Sequence, residues 1–126
     1  MTYTEIQNEL IAKYNVTIVD KSTCWARTHA HCFDGTRRIC KWNRAESYAS
    51  LFTLCHEIGH LETTLKGMLR CEEESLATKW GIAKIKEYGL PIKRRYLNEY
   101  KRYIKRAYDR GVRRGMKRRV KSGLLI

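Results

Sequence analysis

The segment whose residues are most suited to metal binding and catalysis is His56-Glu57-Ile58-Gly59-His60, which follows an apolar stretch of the chain. On an α-helix, His56 and His60 lie one turn apart on the same face, so both imidazoles can reach a single metal ion with Glu57 beside it. A catalytic zinc ion requires three protein ligands and one open position, and an adjacent carboxylate can take a proton from water. The pentapeptide therefore predicts a zinc site with Glu57 as the catalytic base, although five residues can also match by chance on a buried helix.

The residues around this segment predict that it is helical. Asn43 followed by Glu46 resembles a helix N-cap with its capping-box glutamate, so we expect a helix from that point to about Thr64. Small and apolar residues recur at helical spacing and predict a buried face: Ala45, Tyr48, Ala49, Phe52, Cys55 and Gly59.

A second helix is expected from Met68 to Tyr88, and it opens with three consecutive glutamates at positions 72–74. Negative charge at a helix N-terminus is favourable by about 0.3–1 kcal/mol per residue, which is the simplest role for these side chains. One of them could instead be the third zinc ligand. Helical periodicity alone does not choose between Glu73 and Glu74.

The His-Glu-Ile-Gly-His segment, followed by Glu74-Ser-Leu-Ala-Thr-Lys-Trp-Gly-Ile82, resembles the ImmA/IrrE family of zinc peptidases. Registering Ala77 and Trp80 on the second motif of that family places its glutamate on Glu74. The resemblance thus implies metal ligation by Glu74, with Glu73 as the reserve. Two positions depart from the family pattern, with Thr78 in place of the usual Asn and Gly81 in place of Ala.

The resemblance covers roughly residues 1–88. It implies a gluzincin-like fold, in which a small twisted antiparallel sheet packs on the active-site helix and its edge strand presents the substrate peptide. It also implies one Zn²⁺ ion as cofactor and a protein substrate, such as a regulator encoded by a phage or mobile element.

The segment before these helices is expected to supply the sheet. An amphipathic helix is predicted over residues 3–14, and Val16–Val19 has the composition of a strand. Asp34-Gly35 is a strong hairpin signal that would pair Phe33 with Thr36, Ala30 with Ile39 and His29 with Cys40. The predicted fold class is α+β: a small antiparallel sheet packed on the helix that carries the two histidines, with a long basic C-terminal helix.

The hairpin has two faces of different character. Cys24, Ala26, Ala30, Cys32 and Ile39 form a face expected to lie against a helix, while Trp25, His29, His31, Phe33, Arg38, Cys40 and Trp42 form the other. His29, His31 and Cys40 could bind a second metal, although their spacing matches no closed zinc pattern. Contact of this second face with a substrate or partner is the other functional interpretation.

The length of 126 residues predicts one domain. Five cysteines, an odd number, and the polar N-terminal segment predict free thiols in a reducing compartment. We therefore expect a cytoplasmic protein, located in the host cytoplasm if a phage encodes it. No apolar run approaches the roughly 18 residues needed to span a membrane, so no membrane partner is expected.

The net charge of +13 is concentrated at the C-terminus. Residues 1–92 hold 12 Lys/Arg and 11 Asp/Glu, whereas residues 93–126 hold 14 and 2. This asymmetry predicts two parts, a peptidase-like domain at 1–90 and a basic helical extension at 91–126. The extension has an apolar stripe that could dock on the domain: Ile92, Tyr96, Tyr100, Tyr103, Ala107 and Gly111. The basic segment Lys93–Lys121 is a candidate contact for nucleic acid phosphates, with an acidic protein as the other candidate partner.

Two functions remain open on sequence grounds. The first is a zinc metallopeptidase, in which His56, His60 and Glu74 bind the ion and Glu57 transfers the proton. Its oxyanion-stabilising residue is unassigned among Tyr48, Tyr88, Tyr96 and His31. The second is a small basic protein that binds nucleic acid or a host-defence protein, in which the zinc site is structural or vestigial.

Overall fold

The computed structural model describes residues 1–19, 30–33 and 35–116 of the chain. These residues contain four α-helices and three β-strands. The fold class is α+β, as predicted. The helices are α1 (Tyr3–Lys13), α2 (Tyr48–Thr63), α3 (Arg70–Glu87) and α4 (Arg94–Arg113), and the strands are β1 (Val16–Val19), β2 (Ala30–Phe33) and β3 (Thr36–Cys40).

The three strands form one mixed sheet in the order β1-β3-β2. The strands β2 and β3 pair in antiparallel fashion with Phe33 opposite Thr36 and Ala30 opposite Ile39, which is the register that a two-residue turn predicts. The predicted pairing of His29 lies outside the described residues. The expectation of a wholly antiparallel sheet is wrong for β1, which runs parallel to β3. The chain between Val19 and Thr36 is long enough for the crossover that parallel pairing needs.

The helix that carries the two histidines begins later than predicted. Its N-cap is Ser47, whose side chain accepts a hydrogen bond from the backbone N–H of Ser50 at 3.1 Å. The carbonyl of Asn43 accepts from the Ser50 hydroxyl instead, at 2.9 Å. Glu46 accepts a hydrogen bond from the backbone N–H of Thr4 at 3.1 Å, so it ties the start of α1 to this loop rather than closing a capping box.

The central element is α2, which contacts the sheet, α1 and α3. Every residue from Leu54 to Gly59 is buried, so the helix is enclosed on most of its surface, as its apolar sequence predicts. Fully buried apolar side chains of the core come from several elements: Leu10, Ile39, Leu51, Leu54, Ile58 and Ile85.

The basic helix α4 docks on the rest of the chain through its aromatic stripe. The Tyr100 ring packs on Phe52 of α2 with 5.5 Å between ring centroids. Before the helix begins, the hydroxyl of Tyr48 donates to the carbonyl of Pro91 at 2.9 Å and accepts from the N–H of Lys93 at 3.0 Å. Within the described ranges, no helix is both long enough and apolar enough to cross a membrane.

The cysteines differ in chemical state. Cys32, Cys55 and Cys71 are free thiols, and the last two are buried. Cys40 is disulfide-bonded, so the expectation of free thiols throughout is wrong at that position.

Candidate metal centre

The two histidines lie on α2, and their ring nitrogens point to one place. His56 and His60 are one helical turn apart, and their Nε2 atoms are 3.1 Å from each other. The His56 side chain is 4% exposed and that of His60 is 12% exposed, so solvent reaches the pair from the His60 side. The regular geometry of an uninterrupted helix is sufficient to produce this arrangement.

Close packing of α3 on α2 brings an acidic residue to the same place. A Cβ atom added to Gly59 would lie 2.4 Å from the carbonyl oxygen of Ala77, and one added to Gly81 would lie 3.2 Å from the backbone of Cys55 and His56. Gly59 therefore permits a close helix–helix approach that a larger residue would prevent, and Gly81 makes a milder contact of the same kind. The sequence pattern alone does not reveal this requirement.

The three glutamates that open α3 have separate roles. Glu72 is buried and accepts a hydrogen bond from the backbone N–H of Leu69 at 3.0 Å, which caps the helix. Glu73 is partly exposed and lies 3.6 Å from a guanidinium nitrogen of Arg70. Glu74 is 1% exposed and directs Oε2 to both histidines. The structure thus brings Glu74 to the histidines and leaves Glu73 outside.

The three ligand atoms form a nearly equilateral triangle. Oε2 of Glu74 lies 3.0 Å from Nε2 of His56 and 3.2 Å from Nε2 of His60. Ligand atoms of a tetrahedral zinc site, with bonds of about 2.0–2.1 Å, lie about 3.3 Å apart. The donor set could therefore hold a metal ion with bonds of this length after a shift of about 0.2 Å. No other group of three such ligands is present in the described part of the chain.

A second layer of hydrogen bonds orients these ligands. The hydroxyl of Thr78 lies 3.1 Å from Nδ1 of His56, on the ring edge opposite the triangle. Arg70 donates to Oε1 of Glu74 at 2.8 Å, which leaves Oε2 for the histidines. Partners of this kind hold metal ligands in the required tautomer and rotamer.

The electrostatics of Glu74 favour its charged form. Burial raises the pKa of this carboxyl, but hydrogen bonds with His56 and His60 outweigh burial and hold the pKa well below its usual range. The carboxyl is therefore an anionic oxygen donor, which a divalent cation requires.

Glu57 is 6% exposed and lies beside His56 on α2, as the sequence predicts. The side chain that sequence reasoning missed is Tyr100 of α4. Its ring stacks on that of His56, with centroids 4.2 Å apart and planes at 29°. Burial and the negative charge of Glu57 raise the pKa of Tyr100, so its hydroxyl stays protonated. Its place in the aromatic stripe of α4 is a signal of docking, but not of contact with a metal ligand.

The three tyrosines predicted as candidates for oxyanion stabilisation contact residues other than the two histidines and Glu74 in the structure. The hydroxyl of Tyr48 is bonded to the chain that leads into α4, and that of Tyr88 donates to Glu9 at 2.9 Å. The Tyr96 ring packs against that of Tyr48, with 5.2 Å between centroids. The side chain of His31 lies outside what the structure describes.

The second metal site predicted on the hairpin is contradicted at Cys40, whose sulfur is in a disulfide. His29 and the His31 side chain lie outside the described residues. The prediction that Trp42 lies on the hairpin face available to a substrate or partner is also wrong. Trp42 is 7% exposed and donates to the carbonyl of Ser50 at 3.0 Å. The reason is a turn at Lys41, whose φ of 61° ends the strand before Trp42.

A cavity of about 360 Å³ opens beside His60 and reaches the outer strand β2. It is lined by Ala30, Cys32, His60, Leu61, Thr64, Arg70 and Glu73. Of the strands in the described part of the chain, β2 is at one edge of the sheet, next to this cavity. Cys32, which is expected on the hairpin face towards a helix, lines this cavity together with residues of α2 and is exposed.

The chain matches no protein-family model, no curated protein and no solved structure. The interpretation of the centre therefore depends on its own geometry and chemistry.

Proposed function

We propose that this chain is a zinc-dependent metallopeptidase that hydrolyses a peptide bond in a protein substrate. The observation that carries the proposal is the convergence of Nε2 of His56, Nε2 of His60 and Oε2 of Glu74 within 3.0–3.2 Å of one another. Two histidines and one glutamate are a ligand set of zinc peptidases, which keep a fourth position for water or substrate. Glu57 follows His56 on α2, and its negative charge acts on Tyr100, whose ring stacks on that of His56.

Each residue has a defined task in this reaction. His56, His60 and Glu74 would hold the ion. When bound, zinc supplies Lewis-acid polarisation of the scissile carbonyl and makes water more acidic. Glu57 accepts the proton of the attacking water and passes it to the leaving amine, which must be protonated before it departs. Burial of Glu57 strengthens these charge interactions.

An extended peptide suits the surface beside His60. The strand β2 is at a sheet edge in the described part of the chain, and an edge strand can pair with a substrate segment through backbone hydrogen bonds. The adjoining cavity contains Arg70 and Glu73, so it offers both signs of charge to substrate side chains.

We further propose that the enzyme belongs with the ImmA/IrrE-type peptidases that its two motifs resemble. Its substrate would then be a regulatory protein of a phage or mobile element. Such an enzyme would act in the cytoplasm, that of the host cell if a phage encodes it.

A second candidate function has one specific observation in its favour. Exposed cations extend along α4 at Arg94, Arg95, Lys101, Arg102, Lys105, Arg106 and Arg113. A polyanion could bind this surface through its phosphates, without sequence preference. In this alternative the protein binds nucleic acid or an acidic host protein, and the zinc site is structural or vestigial.

One substitution separates the two functions. Glu57→Gln should retain zinc and the fold but abolish the appearance of new termini when the zinc-loaded protein is incubated with a randomised peptide library. Glu62→Gln makes the same change in charge on α2, outside the metal centre, and should leave cleavage unchanged. Equal cleavage by both variants would contradict the role of Glu57, and no cleavage by the unaltered chain would favour the binding protein.

The ligand set has its own test. Glu74→Gln should lose bound zinc, whereas Glu73→Gln should keep it, because only the former side chain directs an oxygen to both histidines. The measurement is zinc content after dialysis, by elemental analysis. Loss of zinc from Glu73→Gln alone would contradict the assignment.

A further inference from the structure

A second cavity, of about 500 Å³, lies between the start of α3 and the C-terminal half of α4. Three arginines line it: Arg70, Arg110 and Arg114. None of the described residues that line it is acidic. A cavity with several cations and no carboxylate in its wall favours an anionic occupant.

Arg110 of α4 and Arg114, the C-cap of that helix, are available to such an occupant. Arg70 is already paired with Glu74 at 2.8 Å, but within residues 1–19, 30–33 and 35–116 no ion pair is formed by Arg110 or Arg114. The acidic residues of α4 pair with other cations, Glu99 with Arg95 at 3.8 Å and Asp109 with Lys105 at 3.2 Å. The positive charge of the cavity is therefore not neutralised by its own helix.

One further group adds a donor to the same wall. Tyr103 also lines the cavity, and its hydroxyl oxygen lies 3.5 Å from a guanidinium nitrogen of Arg70. Because that oxygen accepts from Arg70, the hydroxyl proton can be donated to a bound anion.

We propose that this cavity binds a phosphate group. A phosphate offers several oxygens in tetrahedral arrangement, which matches guanidinium groups that approach from two helices better than one planar carboxylate does. The volume leaves room for the remainder of a phosphate ester. The ligand is therefore either inorganic phosphate or a phosphodiester of a nucleic acid that follows the cationic surface of α4.

This site is separate from the metal centre, although Arg70 takes part in both. The inference does not depend on peptidase activity, since its donors are on α4 and at the start of α3. Glu57→Gln, which should abolish cleavage, should leave phosphate binding unchanged.

The test is calorimetric titration of the zinc-loaded chain with inorganic phosphate at low ionic strength. Removal of charge-assisted hydrogen bonds in Arg110→Gln/Arg114→Gln should weaken binding by about tenfold or more. Lys101→Gln/Arg102→Gln is the matched control: it removes the same charge from exposed positions of the same helix, outside the cavity. It should keep the affinity of the unaltered chain. Both doubly substituted proteins are checked by circular dichroism, and Arg110→Lys/Arg114→Lys, which keeps the charge, should recover part of the binding.

A second arm identifies the source of the phosphate, by measuring the affinity for a labelled DNA duplex in the same proteins. A nucleic acid ligand predicts a larger loss of DNA affinity in Arg110→Gln/Arg114→Gln than in the control. Loss of inorganic phosphate binding, with equal DNA affinities in the two variants, supports free phosphate as the ligand. Absence of phosphate binding by the unaltered chain would overturn the proposal. It would also be overturned by equal phosphate affinity in both glutamine variants, which would place the anion at the zinc ion or elsewhere.

Discussion

The hydroxyl of Thr78 accepts a hydrogen bond from Nδ1 of His56, with 3.1 Å between the two atoms. Thr78 donates its own proton to the backbone carbonyl of Glu74 at 2.9 Å, so it can only accept from the ring. Nδ1 therefore carries a hydrogen, and in the neutral ring the lone pair is on Nε2, where His56 would ligate a metal ion. Thr78 is thus hydrogen-bonded both to the ring of His56 and to the backbone of Glu74.

Loss of this hydroxyl should weaken metal binding. We expect Thr78→Val to lower zinc affinity by about 10–100-fold, the usual effect of losing a hydrogen bond to a metal-bound histidine. The measurement is a competition titration against a chromogenic chelator. Thr63→Val is the control, since the Thr63 hydroxyl donates to the Gly59 carbonyl at 2.7 Å and does not bond a ligand. Equal zinc affinity in the two variants would contradict the role of Thr78.

Replacement of a glycine by alanine at the contact between α2 and α3 should destabilise the chain more at Gly59 than at Gly81. The added Cβ of Gly59→Ala would meet the Ala77 carbonyl at 2.4 Å, and backbone must move to relieve that contact. Overpacking of this kind costs about 1–3 kcal/mol. Alanine gains about 1 kcal/mol over glycine in helix propensity, which should nearly offset the milder 3.2 Å contact in Gly81→Ala.

Urea unfolding with a chelator present measures these effects apart from metal binding. Gly59→Ala should unfold at lower urea than the unaltered chain, and Gly81→Ala should remain close to it. The reverse order would mean that the two helices separate readily at Ala77.

The sequence was sufficient for those features that depend on local geometry. The one-turn spacing of His56 and His60 predicts their convergence, and the Asp34-Gly35 signal predicts the register of β2 against β3. The choice between Glu73 and Glu74 was different, because it depends on the rotation of α3 against α2. Contacts at Gly59 and Gly81 determine that rotation, and they involve residues far apart in sequence.

Tertiary packing also explains the features that the sequence did not predict. The parallel pairing of β1 depends on the path of the chain between β1 and β3 rather than on strand composition. Trp42 is buried because the positive φ of Lys41 turns the chain, and alternation along a strand cannot anticipate such a turn. The stripe that contains Tyr100 predicts that α4 can dock on the domain, but it does not predict that the Tyr100 ring meets His56, because that contact depends on how α4 lies over α2.

The ring of Tyr100 should contribute substantially to stability. Its contacts with Phe52 and His56 would be lost in Tyr100→Ala, for which we expect destabilisation of about 3 kcal/mol, at the low end for loss of a large aromatic ring. Tyr108→Ala, a half-buried position on the same helix outside the stack, should cost clearly less than Tyr100→Ala. Chemical unfolding measures both, and Tyr100→Phe should keep most of the stability because it keeps the stacked ring. Similar losses in both alanine variants would show that the stack is not the source.

Tyr88 should make stability depend on pH in the alkaline range. Burial, followed by the hydrogen bond to Glu9 at 2.9 Å, raises the pKa of Tyr88 from 10.0 to about 12. The fold therefore favours the protonated phenol: this contribution is complete below pH 10 and is lost as the pH rises to about 12. The unfolding midpoint of the unaltered chain should thus fall more steeply over this interval than that of Tyr88→Phe, which has no phenol proton to lose. Tyr108→Phe controls for removal of any tyrosine and should keep the steeper dependence. Parallel curves for the unaltered chain and Tyr88→Phe would show that the link between α1 and the end of α3 does not depend on this proton.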